Sequence, residues 1–365
     1  MTIDDATRRE LARFGFDQAQ LEKFAARLRD NPAEAAAATY VTGAIAPLQP
    51  RDVSVLPARG TKEHAALVER GMAALRAGEV GVVILAGGMA TRFGGVVKAA
   101  VPVTGGKTFL GLKVADVAHQ KLPVPIYVMT SFATHDRIDE QVREEKLAGV
   151  ETFAQLVSVR LTPGGELFHE ADGSLSPYAT GHGDLTFALR ASGVLRRFRE
   201  RGGKLLFMSN VDNLGATLDA AIIGAHLAGG AAVTAEVVRK EKGDKGGAPA
   251  RLDGVPQIIE AFRFPPSFDQ DSIPLFNTNT FVFDAAAIDR DFDLTFFRVE
   301  KKVEDHKVIQ FERLVGQLTA FLPSHFLEVP RSGNDGRFQP VKDPDELEAR
   351  RSDIEHILRT RGILT

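Results

Sequence analysis

The fold is decided by the stretch Val82-Val83-Ile84-Leu85-Ala86-Gly87-Gly88-Met89-Ala90-Thr91-Arg92-Phe93-Gly94-Gly95. Its first four residues are apolar and rich in β-branched side chains, which predicts a strand buried on both faces. The glycines that follow cannot continue the strand, and they bring bare backbone N–H groups together while Arg92 adds a planar cation. This pattern favours a nucleotide- or phosphate-binding loop over an ordinary tight turn.

Strand-like and helix-like segments alternate after this loop. The strands are predicted at 126–130 and 205–209, and the helices at 134–147 and 217–228. Such alternation is typical of a mostly parallel sheet covered by helices on both faces, in which ligands bind at the carboxyl ends of the strands. Polar clusters follow the predicted strands at 87–95, 131–136 and 210–213. We therefore predict an α/β fold with its site at that edge.

The outer parts of the chain supply further elements. Amphipathic helices are predicted over 6–29, with a break near Gly15, over 62–77 and over 343–361. Segments 232–238 and 255–262 read as two strands joined by a Lys/Gly-rich connection. That connection, 240–254, is interpreted either as a mobile flap over a site or as a solvated loop.

Composition excludes several classes of function. The 365 residues carry a net charge of −3, so no general basic surface is present for nucleic acid or an anionic membrane. There are no cysteines, which excludes disulfides, thiolate metal sites and a cysteine nucleophile. The N-terminus is polar and acidic, unlike a signal peptide, and no apolar run reaches the roughly 20 residues of a membrane helix. We expect a cytoplasmic protein.

Asp212 is the first candidate for chemistry. It lies in Ser209-Asn210-Val211-Asp212-Asn213, directly after a predicted buried strand. Mg²⁺ is typically held by one or two carboxylates together with substrate phosphates and water, so this position suits a magnesium ligand. The alternative is an Asx-turn or a helix cap before the next helix.

Other candidates carry weaker signals. His182 lies between glycines in Gly181-His182-Gly183-Asp184, which suggests close approach to a flat ligand, although a lone histidine is commonly structural. The segment Asn277-Thr278-Asn279 suits sugar hydroxyls or a capped turn before a strand at Thr280. Three lysines are, taken singly, ordinary surface residues: Lys98, Lys107 and Lys342.

Together these segments resemble a known family. The quoted stretch is followed in order by Lys107-Thr108-Phe109-Leu110, Met129-Thr130-Ser131-Phe132, Phe153-Ala154-Gln155, Gly181-His182-Gly183-Asp184, Ser209-Asn210-Val211-Asp212-Asn213-Leu214-Gly215-Ala216, Phe276-Asn277-Thr278-Asn279, Val308-Ile309-Gln310-Phe311-Glu312 and Phe338-Gln339-Pro340-Val341-Lys342. This order is similar to that of the eukaryotic-type UTP–glucose-1-phosphate uridylyltransferases, over roughly residues 60–345.

The resemblance implies a nucleotide-diphosphosugar transferase fold, GT-A or Rossmann-like, with a mixed, mostly parallel sheet flanked by helices. It implies a catalytic domain at 61–342, an N-terminal helical segment at 1–60 packed on it, and a short C-terminal helix at 343–365. The implied reaction converts UTP and glucose 1-phosphate to UDP-glucose and pyrophosphate with Mg²⁺ as the cofactor. In-line attack on the α-phosphorus needs alignment and charge neutralisation more than a covalent nucleophile.

The resemblance also implies roles for individual residues. Asp212 would carry Mg²⁺, and Lys342 would reach the reacting phosphates with Arg92 and Lys98 near them. The nucleotide would lie against Leu85, Ala86, Gly87, Gly88, Gln155 and Gly183. The sugar side would be formed by His182, Asn210, Asn279 and Glu312, and Lys245 would lie near the phosphates.

Three departures from the family pattern matter. Two extra residues precede Lys98, which leaves its role open. Arg92 is more similar to bacterial sugar nucleotidyltransferases and to UDP-N-acetylglucosamine pyrophosphorylases. Only the 23 residues of 343–365 follow Lys342, too few for the C-terminal β-helical domain of the family. We therefore expect a monomer or dimer.

Two alternatives remain open at this stage. The first is a pyrophosphorylase for another sugar 1-phosphate, such as N-acetylglucosamine or galactose 1-phosphate. The second is a nucleotide-sugar binding relative without catalytic activity. Lys342 and Arg92 favour an enzyme, because a protein that only binds UDP-sugar has less need of cations for a leaving pyrophosphate.

Overall fold

The strands that carry the predicted polar clusters lie side by side in one sheet. The computed structural model describes residues 1–30, 39–244 and 246–364. Its strands are β1 (Ile45–Ala46), β2 (Val53–Val55), β3 (Val80–Leu85), β4 (Met89–Ala90), β5 (Val96–Val97), β6 (Pro102–Thr104), β7 (Lys107–Thr108), β8 (Ile126–Thr130), β9 (Val150–Ala154), β10 (Val157–Val159), β11 (Pro177–Ala179), β12 (Leu205–Asn210), β13 (Val233–Arg239), β14 (Ala248–Leu252), β15 (Val255–Ile259), β16 (Leu275–Asp284), β17 (Phe297–Val303), β18 (His306–Glu312) and β19 (Ser324–Glu328).

The α-helices of the described residues cover this sheet and its surroundings. They are α1 (Asp5–Ala12), α2 (Gln18–Asp30), α3 (Lys62–Arg76), α4 (Phe109–His119), α5 (His135–Glu144), α6 (Leu185–Ala191), α7 (Val194–Glu200), α8 (Ala220–Gly229) and α9 (Pro344–Thr360). No helix in the described part of the chain is long and apolar enough to cross a membrane.

The largest sheet among the described residues has eight strands in the order β2-β19-β13-β16-β12-β3-β8-β9. Strand β16 runs antiparallel to both of its neighbours, β12 and β13. The remaining neighbours in the sheet pair in parallel. The predicted mixed, mostly parallel sheet is therefore confirmed.

Strand β3 lies near the middle of the sheet and all six of its residues are buried. Val82 and Ile84 belong to one apolar cluster, whereas Val83 and Leu85 belong to another on the opposite face. Successive side chains of a strand point to opposite faces, so one apolar run contributes to both cores. Each buried side chain of this size is worth about 1.5–3 kcal/mol, which explains why the run fixes the centre of the sheet.

Helices cover both faces of the sheet. Helices α3, α4, α8 and α9 contribute to the cluster that contains Val82, while α6 and α7 contribute to the cluster that contains Val83. Helices α1 and α2 pack elsewhere, against β10 and β18, through a third apolar cluster. The break between α1 and α2 occurs at Gly15, whose φ is +64°.

The prediction of one long connection over 240–254 is wrong. Residues Ala248–Leu252 form β14, which pairs with β15 and β1 in a separate sheet of three strands. Alternate residues of β14 pack into an apolar cluster with Val41 and Phe264, and this burial stabilises the strand. The lysine-rich part of the connection is thereby shortened to the residues just before β14.

Strand β16 begins earlier than the sequence predicts. It starts at Leu275 and includes Asn277-Thr278-Asn279, which the sequence places before the strand. Asn279 has φ +56°, and the register of β13 against β16 shifts between Glu236 and Val237. Such an irregularity redirects side chains within a strand. These polar residues therefore belong to the first half of the strand and do not precede it.

The carboxyl ends of β3, β8, β9, β12, β13 and β19 meet at one edge of the sheet, because these strands are mutually parallel. Strand β16, running the other way, begins at the same edge. The segments that leave this edge carry the polar residues singled out in the sequence.

Candidate active site

The glycine-rich loop leaves the sheet after β3 and is held by two hydroxyls. Ser131 Oγ donates to the carbonyl of Gly87 at 2.8 Å. Thr134 Oγ1 donates to the carbonyl of Ala86 at 3.2 Å. Ser131 and Thr134 lie in the segment that follows the neighbouring strand β8. The loop backbone is therefore fixed before any ligand binds.

Gly87 and Gln155 are in close contact. A Cβ atom on Gly87 would lie 2.2 Å from Gln155 Nε2, so no larger residue fits without moving that amide. A Cβ on Gly88 would meet nothing within 4 Å. Gln155 is buried and follows β9. The pair lies at the end of β3, next to the buried Leu85.

Lys98 and Asp212 form an ion pair, with Lys98 Nζ 2.5 Å from Asp212 Oδ2. The backbone N–H of Lys98 donates to the carbonyl of Gly88 at 3.4 Å. The backbone N–H of Val211 donates to the carbonyl of Leu85 at 3.0 Å. Lys98 thus connects the glycine-rich loop to the loop after β12.

A cavity of about 290 Å³ opens beside this ion pair. It contains five of the residues singled out in the sequence: His182, Asn210, Asp212, Asn279 and Lys342. Asn210 ends β12, Asp212 follows it, and Asn279 lies in β16, while His182 follows β11 and Lys342 precedes α9. Positions far apart in the chain are brought together because the parallel strands end at one edge.

His182 is neutral in this cavity. Burial lowers the pKa of His182 to about 4, since the imidazolium would lose its hydration. The backbone N–H of Val315 donates to His182 Nδ1 at 3.1 Å. The proton of the neutral ring is therefore on Nε2, which is a hydrogen-bond donor.

Two asparagine amides are linked inside the cavity. Asn279 Nδ2 donates to Asn210 Oδ1 at 2.9 Å. The backbone N–H of Asn279 donates to the side-chain oxygen of Asn277 at 3.1 Å. With these bonds made, the amide hydrogens of Asn210 and the amide oxygen of Asn279 point to no partner among the described residues. They are a donor and an acceptor, which is what a sugar hydroxyl requires.

The charges that line the cavity are unevenly paired. Asp244 accepts two hydrogen bonds from Arg331, at 2.8 and 2.9 Å. Although partial burial raises the pKa of Asp244, these bonds outweigh it and lower the pKa overall. Lys342 and Arg350 also line the cavity, and neither has a carboxylate within 4 Å in the described ranges. Two cations remain available to an anion.

Glu260 lines the same cavity and lies beside Gly247. Burial raises the pKa of Glu260 to about 7, and the nearby Arg263 opposes this only in part. Around neutral pH this carboxyl can therefore donate as well as accept a hydrogen bond.

The segment that carries Lys342 is tied to the loop that carries Asp212. Asn213 Nδ2 donates to the carbonyl of Arg337 at 3.2 Å, and the backbone N–H of Gln339 donates to Asn213 Oδ1 at 2.9 Å. The backbone N–H of Val341 donates to the carbonyl of Asp212 at 3.3 Å. Asn213 is buried, so these bonds fix Lys342 relative to Asp212.

Other residues singled out in the sequence lie outside this cavity. Arg92 is exposed in the turn Thr91–Phe93 and forms no ion pair with any described residue. Glu312 ends β18, where its carboxylate accepts from Gln310 and lies 4.0 Å from Lys301, so the structure does not bring it to the sugar side. Lys245 lies outside the described residues.

Gly183 packs against the backbone of Arg313. A Cβ on Gly183 would lie 2.4 Å from the nitrogen of Leu314, so only glycine fits. The backbone N–H of Gly183 donates to the carbonyl of Arg313 at 2.9 Å. That N–H is therefore occupied and is not available to a ligand.

Four charged residues of the cavity escaped the sequence reasoning as site residues: Asp244, Glu260, Arg331 and Arg350. Glu260 lies inside the strand predicted over 255–262, whereas in the structure β15 ends at Ile259 and Glu260 follows it, so the predicted strand concealed it. Arg350 lies in the amphipathic helix α9, where nothing in the local sequence distinguishes it from a solvent-exposed arginine.

The side chains of the cavity suit a divalent cation only when a bound substrate supplies further ligands. No group of three His, Cys, Asp or Glu side chains in the described ranges is arranged to hold a metal ion. Asp212 offers one carboxylate, which is what Mg²⁺ takes when phosphate oxygens and water complete its shell. The residues fit Mg²⁺ in that sense.

The architecture is that of the nucleotidyltransferases. A solved structure from Trypanosoma brucei, described as a UDP-glucose phosphorylase, is 25% identical to this chain and superposes with a TM-score of 0.74. The superposition covers 95% of this chain and 78% of that one. Residues 38–361 match the family UTP–glucose-1-phosphate uridylyltransferase, and the chain belongs to this family. The predicted family is thus confirmed.

Curated relatives bear the same name as the family. A UTP–glucose-1-phosphate uridylyltransferase 2 from Dictyostelium discoideum is 31% identical over 299 residues, which cover 74% of this chain and 58% of that protein. A UTP–glucose-1-phosphate uridylyltransferase from Encephalitozoon cuniculi is 29% identical over 287 residues, which cover 74% of this chain and 57% of that protein. The chain thus spans little more than half of the length of these relatives.

Proposed function

We propose that the protein is a uridylyltransferase that joins UTP and glucose 1-phosphate to give UDP-glucose and pyrophosphate. The observation that carries the proposal is the cavity that brings Lys342, Asp212 and His182 together beside the glycine-rich loop. Family membership supports the same reaction, since the relatives carry its name.

The uridine and its phosphates would lie along the loop Ala86 to Gly88. Gln155 and the carbonyl of Gly183 would face the edge of the uracil. Buried hydrogen-bonding groups of this kind reject a wrong base, because its mismatched edge would leave them unpaired. Lys98 and Arg92 would neutralise the phosphates, which Arg92 could reach from its exposed turn.

The sugar phosphate would occupy the cavity. Its hydroxyls would bond to the free amide groups of Asn210 and Asn279 and to Nε2–H of His182. Glu260 would be a further partner for the hydroxyls, a role for which the cavity offers a better position than that of Glu312. The cations Lys342 and Arg350 would receive the phosphate.

The reaction would be an in-line displacement at the α-phosphorus. An oxygen of the sugar phosphate forms the new P–O bond, and the bond to the β-phosphate oxygen breaks to release pyrophosphate. Two anions must approach each other, so the side chains act by alignment and by neutralising charge. Lys342, fixed through Asn213, would reduce the repulsion at this step.

We propose Mg²⁺ as the cation that accompanies UTP, with Asp212 as its protein ligand. Mg²⁺ would supply charge neutralisation on the phosphate oxygens. Lys98, which is paired with the same carboxylate, would add a second positive charge beside the phosphates.

Turnover with defined substrates tests the proposal. The protein would be incubated with UTP, Mg²⁺ and one sugar 1-phosphate at a time: glucose, galactose or N-acetylglucosamine 1-phosphate. We expect pyrophosphate release to be fastest with glucose 1-phosphate. Faster release with N-acetylglucosamine 1-phosphate would change the assigned sugar, and no release with any sugar would refute the uridylyltransferase activity.

A further inference from the structure

A single buried carboxylate connects three segments near the glycine-rich loop. The side chain of Asp184 is fully buried, and its Oδ2 accepts from Thr180 Oγ1 at 2.5 Å and from the backbone N–H of Leu156 at 3.0 Å. Its Oδ1 accepts from Nε and Nη2 of Arg313 at 2.9 and 2.5 Å. These four donor atoms come from three residues, Leu156, Thr180 and Arg313.

Arg313 is itself rigidly held. Its guanidinium carbon lies 4.1 Å from the ring centre of Phe187 and 4.4 Å from that of Phe296. Its backbone N–H donates to the carbonyl of Thr180 at 2.8 Å, and its carbonyl accepts from Gly183 at 2.9 Å. A planar guanidinium between two rings with a two-point bond to a carboxylate has little freedom to move.

The two segments joined by Asp184 carry the groups assigned to the nucleotide base. Leu156 directly follows Gln155, and Asp184 directly follows Gly183. The bond from Leu156 N–H to Asp184 therefore sets how far Gln155 lies from the turn that contains Gly183. Neither Asp184 nor Arg313 lines the cavity described above.

We propose that Asp184 and Arg313 are positioning residues that set the spacing of Gln155 and Gly183 and thereby determine selection of uracil over cytosine. The proposal rests on the function proposed above, in which these two residues face the base. Hydrogen-bond recognition of a base edge depends on sub-ångström placement, so a shift of one segment reduces selectivity as well as affinity.

A second buried ion pair provides a matched control. Arg251 Nη1 lies 2.6 Å from Asp52 Oδ2, and the two side chains are 11% and 6% exposed. This pair joins β14 to the segment before β2, and neither residue lines the cavity. Breaking either pair leaves an uncompensated buried charge and costs stability, so stability alone cannot separate the two roles.

The test compares Asp184→Asn and Arg313→Lys with Asp52→Asn in the full chain. UTP and CTP affinities are measured by calorimetry, the Michaelis constants for UTP and glucose 1-phosphate by turnover, and stability by thermal unfolding. We expect Asp184→Asn and Arg313→Lys each to lose about tenfold in UTP affinity and about fivefold in preference over CTP, with the constant for glucose 1-phosphate almost unchanged. We expect Asp52→Asn to lose stability without a change in UTP affinity or in the preference for UTP over CTP.

Unchanged UTP-over-CTP preference in a folded Asp184→Asn or Arg313→Lys variant would overturn the proposal. An equal loss of the UTP-over-CTP preference in Asp52→Asn would also overturn it. Arg313→Lys keeps the charge but loses the two-point bond and the planar group between the two rings, so it serves as the test if Asp184→Asn does not fold. Wild-type protein that binds UTP without releasing pyrophosphate would refute the uridylyltransferase activity instead, while the affinities would still decide the positioning role.

Discussion

Lys98 Nζ lies 2.5 Å from Asp212 Oδ2, and both side chains are largely buried, at 16% and 19% exposure. In the proposed site this carboxylate would also be the ligand of Mg²⁺. An ammonium group and a divalent cation on one carboxylate repel each other, so the lysine would compete with the cation when no nucleotide is bound.

Replacing Lys98 by methionine tests this competition. In Lys98→Met the Asp212 carboxylate is free, so we expect tighter Mn²⁺ binding without nucleotide, measured by electron paramagnetic resonance. Turnover should fall by at least about 100-fold, since a cation near the phosphates is lost. Lys107→Met, which removes an exposed lysine from β7, should change neither quantity. Unaltered Mn²⁺ affinity in Lys98→Met would contradict the competition.

Gly87 and Gly88 differ in the space around them, although they are adjacent in sequence. In Gly87→Ala the new Cβ displaces Gln155, which can swing away at little cost in folding stability but no longer faces the base. We expect the Michaelis constant for UTP to rise about tenfold. In Gly88→Ala the new Cβ has no atom within 4 Å, so we expect the Michaelis constant for UTP to stay within about twofold of the wild-type value. Steady-state kinetics with both variants checks the expectation, and equal effects would disprove the contact's role.

Lys342 lines the cavity without a carboxylate partner among the described residues, so its charge is available to the reacting phosphates. In Lys342→Ala we expect kcat to fall by about 100-fold or more, while the dissociation constant for UTP changes by less than about threefold. Lys342→Arg should recover part of the rate. If UTP binding weakened and kcat stayed the same, the assigned role would be wrong.

Glu260 makes stability depend on pH. Its pKa is about 7 in the folded chain, against 4.5 for the exposed group. Between these values the folded state holds a proton that the unfolded state has released. The stability that Glu260 contributes is therefore fully present below pH 4.5 and is lost as the pH rises through 7. The loss is at most about 3 kcal/mol.

Glu260→Gln should remove this dependence, because the amide mimics the protonated carboxyl at every pH. Urea unfolding of wild type and variant at pH 5, 6, 7 and 8 measures it, with the exposed Glu69→Gln as the control. Parallel stability curves for wild type and Glu260→Gln would show that the carboxyl is not held protonated.

The sequence predicts the edge of the sheet well and the cavity only in part. The apolar run of β3 and the polar residues after it are local signals, as are those around Asp212, so both could be located without coordinates. His182 and Asn279 were identified by their neighbours in sequence. Their approach to Lys342 follows from strand order, which no local pattern encodes.

Contacts between residues that are far apart in the sequence could not be predicted from it. Arg313 and Asp184 are 129 positions apart and meet because β18 ends beside the turn before α6. Arg350 belongs to the amphipathic helix α9, and nothing in its local sequence indicates the cavity beside it. Glu312 belongs to a motif of the family pattern, yet it pairs with Phe297 of β17 and does not line the cavity, which its local sequence does not indicate.

Reversal of the proposed reaction tests the central claim most directly, because it needs every part of the site at once. Wild-type protein and Asp212→Ala would be given UDP-glucose, pyrophosphate and Mg²⁺, and the UTP formed would be measured. We predict that wild type forms UTP and glucose 1-phosphate in equal amounts, and that the variant is slower by at least about 100-fold. A wild-type protein that binds UDP-glucose but forms no UTP, or a variant as fast as wild type, would contradict the account.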